Sequence, residues 1–210
     1  MRQVLFTVVF CFCLCKVSAQ DIATVFINMP DQHIPQLEDA WRKDLVDLYQ
    51  SGKEARLKNT MNGESILREM TKDYLLLRST ERTTVELKLL PLVNNTHIVC
   101  MITTVEGPVA DSKVEFYTTA WQQLEAAELY TPVEMEWFLK KEINRNSEDY
   151  KHAVSRLDMH LFKYRLSAND LTMTATYMTP EYLSKEDRDK VSSFLKDLPK
   201  VYTWTKSRFE

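Results

Sequence analysis

The chain has 210 residues, with 27 lysines and arginines against 30 aspartates and glutamates, a formal net charge of −3 and 44% hydrophobic residues. This mild acidity excludes nucleic acid as a partner, because phosphate binding needs a concentrated cationic surface. Three glycines and no Ser, Gly or Pro tract exclude a flexible linker or low-complexity segment, and a chain of this length buries a core that needs no disulfide staples.

Arg2 supplies a short positive start, residues 4–15 form an apolar run and Val17-Ser18-Ala19 satisfies the small-residue rule for signal peptidase. Residues 1–19 are therefore predicted to be an export signal peptide, leaving 20–210 as a single α+β domain. The apolar run is too short to cross roughly 30 Å of hydrocarbon, and no later stretch is long enough, so no integral membrane span is expected. Cys11, Cys13 and Cys15 leave with the signal. An alternative makes one of them a lipid-bearing cysteine, although no small residue directly precedes any of the three. Cleavage also removes Arg2 and Lys16, and Cys100 is then the lone cysteine, which rules out an intramolecular disulfide.

After an extended start, PQLEDAWRKDLVDLYQSG places Leu37, Trp41, Leu45, Leu48 and Tyr49 on one helical stripe, with Glu38, Asp39, Arg42 and Lys43 elsewhere. Pro35 suits the first turn of that helix and Gly52 its end. A turn at Asn62-Gly63 precedes SILREM, read as a short helix. From Asp73 the period falls to two, and YLLLRS, TTVELKLLPL, HIVCMITTVEG and KVEFYTTAW read as an antiparallel meander. Val85, Leu87 and Leu89 alternate with Thr84, Glu86 and Lys88, so one face of that strand is expected to be wet and the other covered by the helix. VNNTH reads as a hairpin tip.

Thr131-Pro132-Val133-Glu134 has the form of a capping box opening a helix through MEWFLKKEI. Strands MHLFKYRLS and LTMTATYM follow, joined at Ala168-Asn169-Asp170. A helix capped at Ser184 places Val191, Phe194, Leu195 and Leu198 on one face, Pro199 stops it, and KVYTWTKSRF reads as a last strand. The outline is an antiparallel sheet covered by about three helices. Segments 20–128 and 129–210 share a strand-pair outline that reads as a duplication.

The chemistry-bearing residues assemble into no recognisable motif. His33, His97, His152 and His160 include no pair spaced i, i+4, and neither HExxH nor paired CxxC occurs in the mature chain, so no metal or other cofactor is predicted. Asp31-Gln32-His33 reads as a surface loop, Cys100 in IVCMI as core, and Asp111-Ser112 as turn chemistry without a nucleophile elbow. Glu134 and Glu136 suit a helix start better than a catalytic dyad. Trp41, Trp121 and Trp137 are assigned to the core. Trp204, in WTKSRF beside Arg208, is the expected exception, and Trp204 and Arg208 are the candidate ligand or partner contacts. The sequon Asn94-Asn95-Thr96 matters only in a glycosylating cell.

The stretches FINMPDQHIPQLEDAWRKDLVDLY, ESILREMTKDYLLLRST, VELKLLPL and DSKVEFYTTAW resemble a family of exported Bacteroidales proteins of unknown function, over nearly all of the chain from Asp21 onward. The resemblance implies a Gram-negative envelope, with the periplasm as compartment, and carries no catalytic residue. The reading favoured by the sequence is a non-enzymatic binding or interaction module whose partner is an unidentified envelope protein or small ligand. The alternatives are a hydrolase with carboxylates drawn from distant segments and an enzyme inhibitor presenting VNNTH or STERTT.

Overall fold

The computed structural model of the protein describes residues 21–210. Residues 1–19, predicted to be an export signal and holding three cysteines, lie outside the described residues. In chain order come α1 (Ile22–Ile27), a 3-10 turn (Asp31–His33), α2 (Asp39–Gln50), β1 (Arg56–Lys58), β2 (Glu64–Met70), β3 (Tyr74–Thr80), β4 (Thr83–Pro91), β5 (His97–Glu106), β6 (Ala110–Thr118) and β7 (Gln123–Leu124). Next are α3 (Ala126–Leu129), α4 (Met135–Phe138), α5 (Glu148–Val154), β8 (Phe162–Leu166), β9 (Thr172–Tyr177), α6 (Thr179–Tyr182), α7 (Lys185–Ser192), β10 (Lys200–Thr205) and β11 (Arg208–Phe209). The first seven strands form one antiparallel sheet in chain order, and the last four form a second in the order β11-β10-β9-β8. The molecule is α+β and layered. Helices α1 and α2 cover one face of the large sheet, and the small sheet covers the other. None of the described helices is long and apolar enough to cross a membrane.

The start predicted to be extended is helical, because Ile22, Val25 and Phe26 bury one face and Asp21 caps the end, accepting a hydrogen bond from the Thr24 amide at 2.8 Å. Helix α2 begins at Asp39, not Pro35. Its end is as expected: Gly52 takes φ 72°, and the amides of Gly52 and Lys53 donate to the carbonyls of Tyr49 and Leu48, both at 3.0 Å. Arg42, read as a wet-face residue, is 1% exposed. Its guanidinium donates to the carbonyls of Ile27, Met29 and Leu37 and to the Asp31 carboxylate, 2.9 Å away, so it ties the loop between α1 and α2 onto the helix.

In the sheet, SILREM is strand β2 and not a helix; a register shift between Leu67 and Glu69 breaks its alternation and gives it a helix-like pattern. The meander from β3 to β6 pairs as predicted, and Cys100 is fully buried, its thiol held well above the ordinary range by desolvation. The wet face assigned to β4 is an interior. Glu86 and Lys88 are 4% and 2% exposed beneath the small sheet. The Glu86 carboxylate accepts from the Leu166 amide at 2.9 Å and the Tyr74 hydroxyl at 3.2 Å, and Lys88 Nζ meets Asp73 at 3.0 Å.

Glu86 belongs to a row of docking groups. The odd residues of β8 bond to β9, which leaves the amides of Phe162, Tyr164 and Leu166 facing outward. Side chains from the large sheet accept all three: Asp111 at 3.1 Å, Ser112 Oγ at 3.0 Å and Glu86 at 2.9 Å. Asp111-Ser112 thus docks one sheet on the other rather than serving as turn chemistry alone.

The expected count of about three helices is replaced by seven α-helices among the described residues, of which only α2 and α7 reach eight residues. The helix predicted through MEWFLKKEI stops at Phe138, after which Leu139 is extended and bridges Leu195. Helix α7 stops at Ser192, where the hydroxyls of Ser192 and Ser193 turn back on the carbonyls of Arg188 and Lys190 at 2.8 and 2.7 Å. Leu198, placed from sequence on the same face of that helix as Val191, lies beyond its end and is 70% exposed. Segment 20–128 holds the seven-stranded sheet and segment 129–210 the four-stranded one.

Candidate functional site

The β10–β11 hairpin turns on Lys206 and Ser207, both at positive φ (50° and 65°), the geometry of a two-residue hairpin loop. The alternation of β10 sends Tyr202 and Trp204 inward and Val201, Thr203 and Thr205 outward. Trp204 is consequently a core residue, 5% exposed, with its indole donating to the Pro91 carbonyl at 2.8 Å and its ring 5.0 Å from Phe209. Of the two contacts expected from sequence, only Arg208 stands at the surface.

Arg208 donates to the Thr131 hydroxyl at 2.7 Å and lines a groove of about 560 Å³ with Glu134, Trp137, Lys200 and Tyr202. Trp137 is half-buried. Lys196 Nζ donates to the Trp137 carbonyl and stands 4.4 Å from its ring centre, while Lys200 Nζ lies 5.8 Å from that ring and 5.0 Å from Tyr202. Behind the groove, Tyr202 donates to the Thr131 carbonyl at 3.0 Å, and Tyr130 lies edge-on to both Tyr164 and Tyr202 at 6.3 and 6.4 Å. Burial pushes all three phenols up, so they remain neutral across the ordinary pH range. Trp137, assigned to the core from sequence, is instead a half-buried groove residue, while Lys200 and Tyr202 escaped the sequence reading because they lie some sixty residues from it and share no local spacing with it. Glu134, Glu136 and Glu210 line the same groove, so chemically it offers both signs of charge beside aromatic faces.

A second hollow, about 760 Å³, lies over β5 and β6 and is lined by His33, Asp111, Lys113, Glu115 and Tyr117. The His33 ring packs edge-on to Tyr117 at 4.8 Å and beside Trp121 at 5.3 Å, with Nε2 enclosed and unpartnered among the described residues. Desolvation lowers its pKa, against an upward pull from Glu115. Burial first, then the Glu115 charge, push the Tyr117 phenol up to about 12. The groups are committed to one another: Glu115 is paired with Lys113 at 2.8 Å, and Ser112 Oγ is engaged by Thr104 and the Tyr164 amide. His33 therefore sits in a packed aromatic cluster, more enclosed than the surface loop read from sequence.

The family model "Protein of unknown function (DUF3256)" matches residues 14–209. Among solved structures, a domain of an uncharacterized protein from Porphyromonas gingivalis W83 is similar at 25% identity with a TM-score of 0.81, over 91% of this chain and 98% of that one. No curated protein matches the chain. With the family model spanning nearly the whole sequence and a solved Bacteroidales structure sharing the fold, the chain belongs to the DUF3256 family of proteins of unknown function.

Proposed function

We propose that the protein is an exported binding module of the Gram-negative envelope, acting in the periplasm without catalysis, and that its contact face is the groove at Arg208. Export is supported by the signal-like residues 1–19. The observation that carries the binding reading is the convergence of Trp137, Lys200, Tyr202 and Arg208 on one open groove. Aromatic and arginine side chains of this kind are the usual anchors of contact surfaces. The partner is an envelope protein or a small ligand. The test compares capture from solubilised envelope by the native protein and by the paired variant Lys200→Glu, Arg208→Glu. A partner retained by the native chain and lost from the variant is the expected result; equal retention by both removes the groove as contact face.

A second reading, an inhibitor inserting the β4–β5 hairpin tip into an enzyme, is favoured by one observation: Val93 is 82% exposed at that tip. It makes Val93→Asp, and not the paired charge variant, the substitution that abolishes capture.

A further inference from the structure

Trp121 stands at φ 62°, a left-handed conformation that strains a bulky aromatic residue and persists only where the surroundings hold it. Four elements do so. The turn after β6 fixes the backbone, with the Trp121 amide donating to the Thr118 carbonyl at 2.9 Å and the Thr118 amide to the Gln122 carbonyl at 2.8 Å. The indole donates to the Val25 carbonyl of α1 at 3.0 Å. Its ring packs beside Tyr117 of β6, 5.4 Å between centres, and beside His33 of the 3-10 turn, which itself lies edge-on to Tyr117.

His33 is the member of this cluster whose charge changes near neutral pH. An imidazolium needs an acceptor at each ring nitrogen, and Nε2 is enclosed with none among the described residues. The charged groups around the ring do not supply one. On its own turn, Asp31 faces Arg42 of α2 at 2.9 Å. On β6, Glu115 pairs with Lys113 at 2.8 Å, Asp111 accepts from the Phe162 amide at 3.1 Å, and the Tyr117 phenol is neutral. The neighbouring side chains of β5, Met101, Thr103 and Val105, carry no charge. Desolvation therefore outweighs the upward pull of Glu115, and Lys113 adds to it. The hollow of about 760 Å³ that His33 lines holds water-facing space and the Glu115 and Asp111 carboxylates, so a charged ring has somewhere to go.

We infer that His33 is an acid-released latch: neutral, it holds Trp121, and through the indole α1, against the sheet; protonated, its ring leaves the aromatic cluster for the hollow and the Glu115 carboxylate, and the 3-10 turn and the Trp121 turn loosen together. The neutral ring's contribution is complete above the pKa of an unfolded histidine and is lost as pH falls through the lower folded value. The opening is local. Ile22, Val25 and Phe26 stay buried, and Arg42 still ties the loop to α2.

The test is a nuclear magnetic resonance titration of the 15N-labelled protein from about pH 8 to about pH 5. The His33 ring should titrate below the value of a histidine in an unstructured peptide, and the Trp121 indole and the Val25 amide should shift with the same midpoint. Exchange of the Trp121 indole proton, referenced to His33→Phe at the same pH, should accelerate about fivefold on acidification, the loss of one aromatic pairing. In His33→Phe, which keeps a ring and carries no charge, the indole should cease to respond to pH over this range. In His33→Gln, which removes the ring, its exchange should be fast throughout. A His33 midpoint at or above the unstructured value means that the cation stays over the Trp121 ring and overturns the latch. An indole response that is absent, or that persists in His33→Phe, overturns it equally. Should His33→Phe fail to fold, agreement or disagreement of the three midpoints in the native protein decides alone.

Discussion

Glu86 is the residue at which sequence and structure part most sharply. In TTVELKLL it occupies a polar position of a clean two-residue alternation, which ordinarily marks a solvated face. The same alternation fits a strand covered on both sides when a second sheet brings hydrogen-bond donors to the polar positions, and nothing local in the sequence announces that the donors are Leu166, eighty residues on, and Tyr74. Desolvation raises the Glu86 pKa, only partly offset by the Leu166 amide and the charge of Arg165. An acid whose pKa is higher folded than unfolded binds a proton in the native state that the unfolded chain has released, so its contribution to stability falls as pH rises from the unfolded carboxyl pKa through the folded value. Glu86→Gln keeps an acceptor and abolishes the titration. In urea titrations the stability of the Gln variant relative to the native protein should therefore rise with pH over that window and then level off; a difference independent of pH contradicts the assignment. Glu86→Ala strands the Leu166 amide and should lose about 2–4 kcal/mol at pH below the unfolded carboxyl pKa, and less as pH rises through the folded value.

Among the elements, α2 and the strands from β3 to β6 were legible because their apolar periods are long and unbroken. Their ends were less so. The leading boundary of α2 depends on Arg42, whose carbonyl partners are Ile27 at the end of α1 and Met29 and Leu37 in a loop that carries no periodic signal. Helix α7 fell short of its apolar stripe because two serine hydroxyls compete for its last carbonyls, and β2 imitated a helix because a bulge offsets its buried side. Arg42 shows what such a link contributes. Arg42→Met keeps much of the buried stem and removes every donor, and should cost about 3 kcal/mol in denaturant midpoint terms. Amide exchange in residues 28–38 should accelerate well beyond that of β4 and β5. Uniform acceleration across the sheet would show that Arg42 supports the fold globally rather than the loop.

At the scale of the whole molecule, α+β class and antiparallel pairing were readable from composition and period, whereas the stacking of two sheets was not, since neither strand count nor spacing states which faces meet. The site followed the same division. Arg208 was picked out by its place beside aromatic residues, but Trp204 turned inward with its strand, and the groove was completed by Trp137 and Lys200 from elsewhere in the chain. The layered core leaves this groove, rather than the hairpin tip at Val93, as the face where cations, carboxylates and aromatic rings converge. The most direct measurement places a photo-crosslinking phenylalanine at Glu134 or at Val93 of the full-length protein in the cell that makes it and follows the adducts formed on illumination. An adduct from position 134 and none from position 93 is the result expected for the groove; an adduct from position 93 alone would contradict it.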